Sequence, residues 1–413
     1  MRRAESGKPE LLAPAGDMER LRMAVAYGAD AVYLAGASFG MRAFAGNFDE
    51  HTIYDATRLC KEAGVRTHVT INTMPRVDEV EQLPRWLEIL QDAGVDAVIV
   101  ADLGAFRLAE RYAPALERHI STQASVSNPV TARAWYELGA KRVILARELS
   151  LEEVSAIRRG TPPGLEIEAF VHGAMCVSYS GRCLLSNYMA DRDAQRGMCA
   201  QPCRYQYALM EEKRPGEYFP VYEENNETFI MNSRDMCMID HIPDLMEAGL
   251  DSLKIEGRAK SAYYAAVVTG AYRRAVDAAR AGEALDPVWR AELDKVSHRP
   301  YSTGFYYGPP GQYTGSARYI RDYQVCAVVE TCDGAGNAVL SLRNKFSAGD
   351  SVELMGPGLR PVEFEAPPME DMDGLPLMEP RRPEMKFRMR LPVAAKPLSL
   401  LRRRVDLSPK GTE

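Results

Sequence analysis

The sequence predicts an α/β protein: a (β/α)8 TIM-like barrel followed by a small C-terminal β-barrel domain. Over the first 280 residues, short apolar runs alternate with amphipathic stretches, and one helix-turn-strand phrase recurs. Beyond residue 320 the pattern becomes that of strands joined by tight turns. At 413 residues the chain is too long for one ordinary core, but it suits a large barrel plus a smaller unit.

The apolar runs are Glu10–Pro14, Ala31–Ala35, Thr67–Thr73, Ala97–Ala101, His119–Ser125, Arg142–Arg147, Glu166–His172 and Ser252–Glu256. Each is too short for a helix and rich in Val, Ile, Leu or Ala, as a strand buried on both faces requires. Helical patterns at Met18–Tyr27, Thr52–Ala63, Val80–Ala93 and Ala132–Leu138 lie between them and run into Gly28, Gly64, Gly94 and Gly139, a common stop for helices. The phrases Gly28-Ala-Asp-Ala-Val, Gly94-Val-Asp-Ala-Val and Gly139-Ala-Lys-Arg-Val precede strands and mark a repeated unit. Eight such units predict a closed barrel. A doubly wound open sheet is the alternative, but Ala13-Pro-Ala-Gly16-Asp after the first strand is not the glycine-rich phosphate loop usual there.

One interval is abnormal. About 80 residues separate the seventh and eighth strands, against roughly 20–36 elsewhere. This insertion, residues 173–250, leaves the C-terminal end of strand seven, where barrels build their active sites. A helix at Ala262–Arg280 closes the barrel, which spans residues 1–300. Residues 301–320 form a connector containing the Tyr- and Gly-rich stretch Tyr301–Tyr313. The small β domain is expected over 321–395, with strands at Gln324–Glu330, Ala338–Leu342, Ser351–Leu354 and Lys386–Leu391 and a hairpin turn at Asp333-Gly334. Residues 366–383 read as a loose acidic loop, and 396–413 as a basic tail.

The net charge of -6 argues against indiscriminate nucleic-acid binding. From Arg381 to Glu413, however, ten Lys and Arg face three Asp and Glu, a local balance of +7. Such a tail either contacts phosphates or is simply solvated. No apolar run approaches a membrane span of roughly 18 residues, and the first residues lack the apolar stretch of a signal peptide. A cytoplasmic protein with reduced thiols is therefore expected.

The insertion gathers Cys176, Cys183, Cys199 and Cys203 within 28 residues. The spacing C-x6-C-x15-C-x3-C only half fits a structural zinc site, while an iron–sulfur cluster tolerates irregular loops. Iron–sulfur, zinc and unliganded thiols all remain open on spacing alone. Cys237 is a further ligand candidate, or a plain buried thiol between Met236 and Met238.

Other candidates sit at strand ends. His172, four residues before Cys176, is a candidate proton donor or a structural hydrogen-bonder. Asn72, Gln123, Arg147 and Glu168 lie on or after strands three, five, six and seven. Lys254, Glu256 and Arg258 belong to strand eight and its exit. Alternation puts Lys254 and Glu256 on one face, and Arg147, Lys254 and Arg258 are suited to clamping an anion. The alternative is a buried structural Lys–Glu pair. Gly36-Ala-Ser38-Phe-Gly40 matches the hydrolase pattern GxSxG, but the sequence after it makes a poor first helical turn. No HExxH is present.

These residues resemble peptidase family U-32, the collagenase-like peptidases. The resemblance rests on Glu10-Leu-Leu-Ala-Pro-Ala-Gly16, Ile71-Asn-Thr73, Thr122-Gln-Ala-Ser125, His172-Gly-Ala-Met-Cys-Val-Ser-Tyr-Ser-Gly-Arg-Cys-Leu-Leu-Ser186, Arg196-Gly-Met-Cys-Ala-Gln-Pro-Cys-Arg204 and Lys254-Ile-Glu-Gly-Arg258. It implies oxygen-independent hydroxylation. By length and C-terminal domain it points to the branch that makes 5-hydroxyuridine in tRNA and depends on prephenate, with ribosomal RNA, a quinone precursor or peptide hydrolysis as alternatives. It also implies a 4Fe-4S cluster on Cys176, Cys183, Cys199 and Cys203, while leaving the electron donor unnamed. The resemblance does not settle the roles of the strand-end residues; from their positions His172, Glu168 and Lys254 are the expected catalytic residues. Asn72, Gln123, Arg147, Glu256 and Arg258 are the expected substrate-binding residues.

Overall fold

The computed structural model describes residues 9–40, 46–176, 183, 185–190, 192–194, 197–202, short strand pairs within 209–228, 233–311 and 319–405. Eight parallel strands form the barrel: β1 (Glu10–Pro14), β2 (Ala31–Ala35), β3 (Arg66–Ile71), β4 (Ala97–Val100), β5 (Glu117–Ile120), β6 (Arg142–Ile144), β7 (Glu166–Ala174) and β8 (Ser252–Ile255). Each pairs with the next, and β8 pairs with both β7 and β1, so the cylinder is closed. Burial on both faces explains the unbroken apolar runs: β1, β2 and β4 are buried at every position.

The recurrent phrase has a structural purpose. Its glycine takes positive φ at Gly28 and Gly94 (100° and 75°), ending the helix. Its aspartate then accepts a backbone N–H from the preceding strand. Asp30 accepts from Leu11 at 2.9 Å, and Asp96 accepts from Thr67 at 2.7 Å. Asp251, in Gly249-Leu-Asp251, does the same for Ile167 at 2.8 Å. These bonds staple neighbouring strands at the end of the barrel opposite the cysteine-bearing segment.

β7 is nine residues long and outgrows the other strands. Its upper part, His172–Ala174, pairs antiparallel with Asp235–Cys237, which itself pairs with Tyr301–Ser302. The insertion therefore leaves from β7 and returns alongside it.

The C-terminal domain is an eight-stranded antiparallel sheet around a core that includes Cys326, Leu340, Phe346, Leu354, Phe387 and Leu401. The Asp333 turn is present, its carboxylate accepting from Ala335 N and Asn337 N. Four strands of this domain went unread in the sequence: the short Met369–Glu370 and Pro376–Leu377, within the stretch read as a loose loop, and then Leu359–Glu365 and Leu400–Arg404. The last corrects the reading of a free basic tail as far as residue 405. Leu400–Arg404 lies between Tyr323–Cys332 and Ser351–Gly356, and Arg402 is fully buried. Its guanidinium reaches Glu292 at 2.7 Å and Glu353 at 2.6 Å and donates to Tyr263 Oη at 3.1 Å. Glu292 and Tyr263 belong to the barrel domain's helices, so this arginine ties the two domains together. Residues 406–413 lie outside the described residues.

Candidate functional site at the barrel mouth

The barrel interior is ionic as well as apolar. Arg142, fully buried, reaches Glu10 at 2.6 Å, Glu166 at 2.6 Å and Glu168 at 2.7 Å. His68 and His119 meet edge to face, 4.9 Å apart, beside this group. Glu168 also accepts from Lys254 Nζ at 2.9 Å. Burial holds the Lys254 ammonium below its ordinary value, and the Glu168 carboxylate opposes that shift. The ammonium also lies 4.5 Å from the Tyr33 ring centroid.

Nearer the mouth, Arg147 stacks on Phe170 with its Cζ 3.8 Å from the ring centroid. It lies 3.7 Å from Glu256 Oε2 and donates to Ala174 O at 3.0 Å. Tyr33 Oη bridges Ile255 O at 3.0 Å and Glu256 Oε2 at 3.4 Å. Arg258 is buried and donates to Thr70 Oγ1 at 2.9 Å. Asn72 Nδ2 contacts Ser121 Oγ at 3.4 Å. Gln123 lies in the turn after β5, and its Oε1 is buried with no hydrogen-bond partner among the described residues. Buried polar atoms are nearly always satisfied, so this oxygen is a candidate ligand contact.

Of the expected residues, Glu168, Lys254, Arg147, Glu256 and Arg258 thus occupy the interior and mouth, with Asn72 and Gln123 following their strands at the same end. His172 does not join them. A register shift between Lys254 and Ile255 pairs Lys254 with Phe170 but Ile255 with His172, a bulge that turns the histidine to the outer wall. There it is buried among Tyr264, Tyr272 and Tyr301. Its Nδ1 lies 3.4 Å from Tyr272 Oη, and burial lowers its pKa to about 3. The residue placed as proton donor at the mouth is therefore a neutral packing group. Tyr33, Phe170 and Arg142 were missed, because neither an aromatic in an apolar run nor an arginine opening one signals an interior position.

Gly173 links the wall to the cysteine segment. It takes φ 106°, and a Cβ there would stand 2.5 Å from Glu256 O, so only glycine lets β7 pass this close to the exit of β8. Cys176 follows and is exposed. Cys183 and Cys199 accept backbone N–H bonds from Leu185 and Gln201, both at 3.4 Å. Cysteine sulfur is a soft donor of the kind that iron–sulfur groups take. Cys203 lies outside the described residues. Among the described residues no three His, Cys, Asp or Glu side chains converge closely enough to hold a metal ion. The donor chemistry therefore fits an iron–sulfur group, whereas convergence of the ligands is not seen. Cys237 is buried on the outer wall, 4.0 Å from Tyr272 Oη, and its thiol is pushed up to about 11 by burial. It is placed as a plain buried thiol. Ser38 is exposed, Phe39 after it takes φ 65°, and residues 41–45, where a nucleophile-elbow helix would start, lie outside the described residues.

A closed parallel barrel with convergent charged side chains at the C-terminal ends of its strands has the layout of a barrel enzyme. The model of peptidase family U32 matches residues 16–315, and that of the peptidase family U32 C-terminal domain matches residues 321–402. The chain belongs to peptidase family U32. It is 38% identical to tRNA hydroxylation protein P1 of Bacillus subtilis, over 97% of this chain and 96% of that one. It is 36% identical to tRNA hydroxylation protein P of Escherichia coli, over 89% and 90%. It is also 32% identical to a protein named collagenase from Porphyromonas gingivalis, over 84% and 86%. No helix among the described residues is long and apolar enough to cross a membrane.

Proposed function

We propose that this protein hydroxylates tRNA, forming 5-hydroxyuridine at the wobble position without molecular oxygen and with prephenate as co-substrate. The observation that carries the reading is the meeting of Arg147, Lys254 and Arg258 at the barrel end from which the cysteine segment departs. Arg147 lies 3.7 Å from Glu256 and Lys254 2.9 Å from Glu168, while Arg258 donates to Thr70 Oγ1 at the same end. A dicarboxylate is the class of ligand that guanidinium groups so placed recognise, its carboxylates meeting Arg147 and Arg258, with Gln123 Oε1 accepting from a hydroxyl. Names borne by relatives along nearly their whole length supply the RNA.

In this reading Cys176, Cys183, Cys199 and Cys203 hold a 4Fe-4S cluster, which supplies one-electron chemistry when bound. The protein's own residues bind and orient. The uridine leaves its stack to enter the mouth, and Phe170 and Tyr33 keep the guanidinium and ammonium fixed against their rings. Lys254 and Glu168 keep the floor charged and water-poor.

The test is nucleoside mass spectrometry of tRNA from a strain lacking its own 5-hydroxyuridine-forming proteins, with and without this chain. Restored 5-hydroxyuridine, lost again when prephenate synthesis is blocked, is the expected result. No restoration from a stably expressed, iron-loaded chain would refute the reading.

A further inference from the structure

A cleft of about 430 Å³ runs between the barrel rim and the C-terminal domain. At one end it is lined by Gln201, two residues after Cys199, and by Glu256, the partner of Arg147. At the other it is lined by Tyr319, Arg321 and Tyr323, where the connector enters the β domain. We propose that this cleft holds the phosphate backbone of the RNA strand leading to the barrel mouth. The inference rests on the RNA reading above and gives that RNA a path.

The chemistry is that of a single-strand site, cations with aromatic rings between them. Lys260 Nζ lies 3.9 Å from the Tyr319 ring centroid and Arg321 Cζ 6.0 Å, so two cations of the cleft wall flank one ring, with buried Arg299 4.6 Å from the same centroid and outside the lining. Arg321 is exposed and held by Ser297 Oγ at 3.2 Å. Lys260 donates to Ser297 O at 3.0 Å. The 20-residue helix Ala262–Ala281 starts at the cleft wall with Ser261 as its N-cap, adding its positive end. In a chain of net charge -6 this concentration of cations is local. Its continuity with both the cysteine segment and the mouth favours a strand that passes through over a small anion that stops there.

The test uses the full iron-loaded chain, a tRNA transcript and fluorescence anisotropy over a salt series. Arg321→Glu and Lys260→Ala are compared with wild type and with Arg85→Glu, a control on the exposed Leu83–Asp92 helix. Arg321→Glu should weaken binding about tenfold and lower the slope of log affinity against log salt by roughly one. Lys260→Ala should do so by a smaller amount, and Arg85→Glu should match wild type. If wild type binds and modifies tRNA while both cleft variants match it in affinity and salt slope, the cleft is not the path. If wild type neither binds nor modifies tRNA, the RNA reading itself fails, and the cleft assignment falls with it. Thermal melting confirms that Arg321→Glu, a surface change, leaves the fold intact.

Discussion

Lys254 and Glu168 form an ion pair of 2.9 Å inside the barrel, with both side chains almost wholly shielded from water. Burial disfavours the Lys254 ammonium, and the Glu168 carboxylate offsets that cost. Glu168→Ala should destabilise the protein by about 3–5 kcal/mol, the usual penalty for leaving a buried charge without its partner. Lys254→Met combined with Glu168→Ala should recover part of that loss, although Arg142 still loses one of its three carboxylates. Urea denaturation measures both, and a double variant less stable than Glu168→Ala would show that the pair is not coupled.

Arg147 is held by the Phe170 ring and by Glu256. Arg147→Lys keeps the charge but loses the planar stack and the fork. On the proposed function, the KM for prephenate should rise more than about tenfold, a loss of roughly 1.4 kcal/mol of binding. The melting temperature should hardly move, because the side chain sits at the rim. An unchanged KM would remove Arg147 from the anion site.

Cys183→Ser and Cys199→Ser should each strip most of the iron from anaerobically purified protein, with loss of visible absorption. Cys237→Ser should retain it, because that thiol is buried on the outer wall with its pKa pushed up to about 11. Iron and acid-labile sulfide analysis decides. Full iron content in the Cys199 variant would exclude it as a ligand.

Burial lowers the pKa of His68, His119 and His172, the last to about 3. Their folded values lie below the unfolded value near 6.5, so the unfolded chain binds more protons in the window beneath it. Stability should therefore rise with pH across that window and fall as pH drops from about 6.5 towards 3. The slope is at most ~1.4 kcal/mol per pH unit for each histidine. His172→Phe should flatten the dependence of the denaturation midpoint between pH 7.5 and 5. Parallel curves for variant and wild type would show that His172 does not titrate in this way.

Arg402 joins the two domains through Glu292 and Glu353. Arg402→Met should cost about 3–5 kcal/mol, because two carboxylates lose a buried cation, although Lys295 still reaches both at 3.0 and 2.8 Å. High salt should change the stability of wild type little, as the pair is shielded. Calorimetry should show the C-terminal domain melting earlier in the variant. A single transition unmoved from wild type would mean that other contacts hold the interface.

The barrel was legible because strands buried on both faces leave continuous apolar runs, and the Gly-x-Asp phrase repeats the same local task. Lys254 and Glu256 followed from simple alternation. Position at a strand end misled at His172, where the bulge beside Ile255 shifts the face, and a single extra residue in a ladder leaves no compositional trace. Arg402 reads as one more charge in a basic run. Its burial depends on Glu292, 110 residues away, and Glu353, 49 away, which no local pattern encodes. The Arg142 group was hidden for the same reason, since Glu10 lies 132 residues from it.

Asp235–Cys237 is hydrogen-bonded to the overhanging end of β7, so both feet of the long excursion stand about 5 Å apart. An excursion closed at its base can be lengthened, trimmed or rebuilt without moving the cylinder beneath it. On the proposed function, assembly of an iron–sulfur centre in this excursion is thereby uncoupled from formation of the scaffold. Iron-free chain should consequently fold its strands with normal amide protection, and differ from loaded protein only between those two feet.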